Sequence, residues 1–69
     1  MTLDDFLLVI YEMGYGQPME AVSLAALEDS VGPGYRHLCE NADAQGFLEI
    51  AAGRLSLTSS GKVRVRQFQ

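Results

Sequence analysis

Sixty-nine residues suffice for one small domain, residues 1–69, and a chain of this length buries only about 60% of the surface its unfolded form exposes, which leaves no room for a deep enzyme pocket. Apolar residues make up 48% and charged residues 20%, too hydrophobic for a disordered acidic tail, and the net charge of −4 disfavours loose attraction to nucleic acid. No apolar run approaches the roughly 20 residues that span a bilayer, and Asp4 and Asp5 stand where a signal peptide would be positive, so a soluble cytoplasmic protein with no membrane contact is expected.

The first predicted element is an amphipathic helix from Thr2 to about Met13, with Leu3, Phe6, Leu7 and Ile10 on one face. Thr2 and Asp5 resemble a capping box, and Gly14, Gly16 and Pro18 end the helix. Met19 to Val22 reads as an extended linker or a one-rung strand. Ser23 then caps a short helix through Ser30, whose Leu24, Leu27 and Val31 point inward; a helix starting earlier, with Pro18 at its first position, is the competing reading. Gly32-Pro33-Gly34 breaks the chain, and Pro33 suits the first turn of a third helix with an inward stripe of Tyr35, Leu38, Cys39 and Ala42, closed by Gly46 as its C′ residue.

After Gly46 the period changes from 3.6 to 2. Leu48 and Ile50, then Leu55 and Leu57, alternate around an Ala52-Gly53 turn and predict a β-hairpin. Thr58 can cap a last element, and although Val63-Arg64-Val65-Arg66 alternates like a strand, its position favours a short terminal helix over a strand for residues 62–69. The expected class is therefore α+β, a three-helix core with a C-terminal hairpin and a short final helix.

Charge is distributed unevenly along this plan. Residues 1–53 hold all nine acids and one base, Arg36, for −8, whereas residues 54–69 hold Arg54, Lys62, Arg64 and Arg66 with no acid, for +4. A basic end on an acidic body suggests two faces with different partners.

The element order and three stretches resemble the winged helix-turn-helix superfamily. These are Val22-Ser23-Leu24-Ala25-Ala26-Leu27, then Ala44-Gln45-Gly46-Phe47-Leu48, then Gly53-Arg54-Leu55-Ser56-Leu57-Thr58-Ser59-Ser60-Gly61-Lys62. They look like that superfamily's second helix, the glycine ending its recognition helix, and its wing closing on Leu-Thr-x-x-Gly-Lys; the span that contains them, Val22 to Lys62, is 41 of the 69 residues. The resemblance implies a small regulator-like module that places its third helix in the major groove of double-stranded DNA, with base-facing roles for Tyr35, Arg36, His37 and Asn41 and a phosphate role for Arg54.

The sequence departs from that pattern on the third helix, where outward Arg36 faces Glu40 and Asp43. Each Lys or Arg phosphate contact adds about 0.9 to the salt slope of DNA binding, so five bases support weak binding by a monomer. A dimer gathering Arg54, Lys62, Arg64 and Arg66 of both chains would restore it, and Glu40 and Asn41 can also read cytosine and adenine directly. The other expectation is an acidic adaptor or inhibitor that engages a basic protein surface. Tyr11, Tyr15, Leu8, Val9, Met13 and Phe68 enlarge the apolar surface around the first helix and the C-terminal segment, a candidate homodimer face unless other elements wrap it.

Catalysis, metal and cofactor are not expected. His37 and Cys39 sit two residues apart on a helix and point about 200° away from each other, so they cannot grip one ion. As the single cysteine, Cys39 forms no internal disulfide, which fits a reducing compartment. Asp4-Asp5 and Glu28-Asp29 lie at predicted helix ends in water, Ser59-Ser60-Gly61 lacks a nucleophile elbow, and Gly14-Tyr15-Gly16 lacks the third glycine of a phosphate loop.

Overall fold

Thr2 opens the first helix by accepting a hydrogen bond from the Asp5 N–H at 3.2 Å, and the computed structural model, which describes residues 1–68, follows the predicted order from there. Helix α1 spans Leu3–Gly14, strand β1 Val22–Ser23, helix α2 Leu24–Val31, helix α3 Tyr35–Ala44, strand β2 Leu48–Ala51, strand β3 Arg54–Leu57 and helix α4 Ser59–Phe68. The result is an α+β fold with four α-helices and one antiparallel three-stranded sheet among the described residues. Gln69 lies outside them, so the expected final helix is observed over residues 62–68.

The sheet order is β1-β3-β2, with Val22 opposite Leu55 and Leu48 opposite Leu57. Of the stretch Met19–Val22, read as an extended linker or a one-rung strand, only Val22 joins a strand, the sheet edge β1; Met19 and Glu20 instead lie in a 3₁₀ turn, Pro18–Glu20, which Pro18 starts in place of an early α2. Ser23 caps α2 by accepting from the Ala26 N–H at 3.1 Å. Helix α3 starts at Tyr35 with Gly34 at its N-cap position, so Pro33 precedes the helix and does not stand in its first turn. At its other end Gly46 adopts φ 78°, and the N–H groups of Gly46 and Phe47 donate to the carbonyls of Asp43 and Ala42 at 2.9 Å each. That double bond pattern ends the helix and turns the chain into the hairpin.

All four α-helices and all three strands contribute to one core. Phe6, Leu7 and Ile10 of α1, Leu27 of α2, Tyr35, Cys39 and Ala42 of α3, Val22, Leu48 and Leu55 of the sheet, and Val65 of α4 are all buried. Leu24, Val31 and Leu38 are half-buried against it. Ile50 keeps the expected side of the sheet but not the burial: it pairs with Leu55 on the core side yet is 44% exposed, because it sits near the turn end of the hairpin, at the margin of the helical layer.

In α4 the helical period places Gly61 and Val65 on the buried side and leaves Val63, Arg64 and Arg66 exposed. Thr58 ties α4 to the end of α3: its Oγ1 accepts from the Gly61 N–H and donates to the Gly46 carbonyl, while its own N–H donates to the Phe47 carbonyl.

The two-residue hairpin turn sets both Ala52 (φ 53°) and Gly53 (φ 74°) in the left-handed region. Such a turn suits the twist of the strands but favours Asn or Gly at its first position. Ala52→Asn should therefore stabilise the domain by about 1 kcal/mol and raise its melting temperature by several degrees, whereas Ala52→Val should do the reverse, both read by thermal denaturation.

Candidate partner-binding surface

The residues expected to carry binding fall into three places. Tyr35, Arg36, His37 and Asn41 share α3, Arg54 opens β3, and Lys62, Arg64 and Arg66 lie on α4. Helix α4 packs mainly against α1 and β3, so its cations are anchored to a different part of the molecule from the outer face of α3.

On α3 the Tyr35 ring belongs to the core, 8% exposed, as the inward stripe requires. Its hydroxyl accepts a 3.3 Å hydrogen bond from Arg36 Nε, and the guanidinium carbon lies 6.0 Å from the ring centroid. The pKa of Arg36 is raised, first by that hydrogen bond to Tyr35 and its field and then by the nearby charge of Glu28. The cation is thus held in place by its own neighbour and faced by carboxylates. His37 and Asn41 are exposed one turn apart, and the Asn41 Oδ1 accepts from Gln45 Nε2 at 2.9 Å. Cys39 is buried, and burial first, then Glu40, pushes its thiol pKa up, which keeps it protonated and a weak nucleophile.

Two of the three α4 cations, Arg64 and Lys62, are engaged within the chain. Arg64 forms a two-point pair with Asp4, Nε to Oδ1 at 2.9 Å and Nη2 to Oδ2 at 3.3 Å, and Lys62 Nζ meets Glu20 Oε1 at 3.4 Å. The partners are 60 and 42 residues away in sequence, so no local pattern announces them. Exposed pairs of this type are worth only about 0.2–1 kcal/mol, but they place a carboxylate beside each base, where an approaching phosphate would meet it. Seven carboxylates (Asp5, Glu12, Glu28, Asp29, Glu40, Asp43, Glu49) and three arginines (Arg36, Arg54, Arg66) have no ion-pair partner among the described residues.

Between α2, α3 and the hairpin lies an open cleft of about 270 Å³ lined by Leu24, Tyr35, Arg36, Cys39, Glu40 and Ile50. Its floor is apolar and its rim carries one charge of each sign. The exposed Ile50, which strand alternation assigns to the core, forms part of it.

The surplus apolar surface of α1 is largely covered. Leu8, Val9, Tyr11 and Met13 are half-buried against the core, while Tyr15 remains 76% and Phe68 38% exposed. Among the described residues, no group of three or more His, Cys, Asp or Glu side chains comes together as a metal site, and no helix is long and apolar enough to cross a membrane. Compared with protein-family models, curated proteins and solved structures, the chain matches none.

Proposed function

We propose that this chain is a winged-helix-type binding module without catalytic chemistry, and that its α2–α3 face engages a basic protein surface. The observation that carries this reading is the charge of that face: Glu28, Asp29, Glu40 and Asp43 are exposed there against the single base Arg36. A cationic partner would be steered to this surface at rates that fall with salt. The cleft beside Ile50 offers an apolar side chain of the partner a seat within the charged rim, the arrangement of a small interface core.

The second reading is DNA binding. It is favoured by the exposure of Arg36, His37 and Asn41 on α3 and of Arg54 at the hairpin, the positions that the family resemblance implies. The engaged state of Lys62 and Arg64 argues against it, since phosphate affinity depends on free cations.

Two titrations separate the readings: one against mixed-sequence duplex DNA at low and moderate salt, the other against a lysine-rich peptide carrying one leucine. The protein-partner reading expects peptide binding that Glu40→Lys with Asp43→Lys weakens by tenfold or more. It expects Asp5→Lys with Glu12→Lys, reversed charges on α1, to have a smaller effect, and it expects no duplex binding at high micromolar protein. Duplex binding with a steep salt slope that Arg64→Ala and Arg66→Ala flatten would overturn it in favour of DNA. Equal loss from both reversals would also overturn it, because attraction would then come from overall charge alone.

A further inference from the structure

The outer face of the sheet carries features that the α2–α3 reading does not use. Residues alternate sides along a strand, so Glu49 and Ala51 of β2 share this face with Arg54 and Ser56 of β3, in the register Glu49 opposite Ser56 and Ala51 opposite Arg54. Glu49 and Arg54 are diagonal neighbours about 7–8 Å apart at the backbone, within reach of long side chains, yet they form no ion pair. Both border a shallow depression of about 300 Å³ whose other lining includes Met19, Ala21, Ala51 and Ala52.

The centre of this face is built of small side chains, so another backbone can approach closely. At its margin stands Met19, 91% exposed. Met19 and Glu20 hold φ of 58° and 53°, a conformation that costs a non-glycine residue about 1–2 kcal/mol, so the chain is strained where it presents a large apolar side chain to water.

We infer that the outer face of the three-stranded sheet is a homodimer interface, in which a second copy of this chain packs face to face about a two-fold axis. Charge complementarity identifies the occupant. In an isologous contact, residue i of one copy meets residue j of the other and j meets i. A face with one acid and one base, neither paired among the described residues, satisfies both when Glu49 meets the second copy's arginine at position 54 and Arg54 meets its glutamate at position 49. The alanines at 21, 51 and 52 let the sheets approach, and each Met19 fills the depression on the facing copy.

Sedimentation of the full chain over a concentration series, with Glu49→Arg, Arg54→Glu and their equimolar mixture beside it, tests the inference. The unaltered chain should pass from 7.5 kDa to twice that mass as concentration rises. Each single reversal replaces two attractive pairs by two repulsive ones and should weaken dimerisation by roughly a hundredfold. The mixture should restore it, because one variant then carries two bases on this face and the other two acids, and these meet as two attractive pairs. Unchanged circular dichroism of each variant keeps loss of folding out of the comparison. A chain that stays monomeric at millimolar concentration, a dimer indifferent to either reversal, or a mixture that fails to recover would each overturn the inference.

Discussion

Gly61→Ala should lower the melting temperature by about 10–20 °C, a loss of roughly 2–3 kcal/mol in a domain of this size. The sign is the informative part. Gly61 lies inside α4, where alanine ordinarily stabilises a helix by about 1 kcal/mol relative to glycine. Here a β-carbon would collide with the Phe47 carbonyl oxygen and come within 3.2 Å of the Leu57 side chain. The carbonyl cannot easily give way, because it accepts the Thr58 N–H and so holds the start of α4 to the end of the α3 turn. Thermal denaturation showing Gly61→Ala equal to or more stable than the parent chain would mean that α4 does not dock as described.

Phe6→Ala should be the most damaging single truncation, costing about 3–5 kcal/mol, enough to leave much of a 69-residue domain unfolded at 37 °C. Phe6 is 0% exposed and belongs to the cluster in which α1 meets α3, α4 and the sheet. No other buried side chain among the described residues is larger than this ring except that of Tyr35, which is 8% exposed. Leu8→Ala, one residue beyond Leu7 and half-buried, should cost markedly less. Urea denaturation of both variants checks the contrast, and similar midpoints would show that the core is not centred on the Phe6 face of α1.

The substitutions at Gly61 and Phe6 also separate folding from binding. Neither residue is exposed, so a loss of partner affinity in them reports loss of structure. The reversals at Glu40 and Asp43 alter only exposed side chains and should leave the melting temperature within a few degrees of the parent. A partner effect there, without a stability effect, belongs to the surface itself.

Much of the architecture is legible in the sequence because its signals are local. The stripe Leu3, Phe6, Leu7, Ile10 is set by the 3.6-residue period, the caps at Thr2 and Ser23 by hydrogen bonds three residues long, and the hairpin by period 2 around a two-residue turn. The class α+β, the order of the helices and the inward stripe of α3 follow from such short-range rules. The negative body and basic end are equally plain in the order of residues.

Other features depend on which distant segments meet. The pairs Arg64–Asp4 and Lys62–Glu20 engage two of the four bases of the basic end, and they exist only because α4 docks beside α1 and the 3₁₀ turn that follows it. Ile50 obeys the strand alternation yet is half exposed, because alternation assigns a side of the sheet and not the extent of the layer covering it. β1 joins the sheet through β3, a pairing that two residues cannot signal. Local periodicity chose the elements and the side each residue faces; docking chose which of those faces are covered and which charges meet, since burial and ion pairing are properties of neighbours in space rather than in sequence.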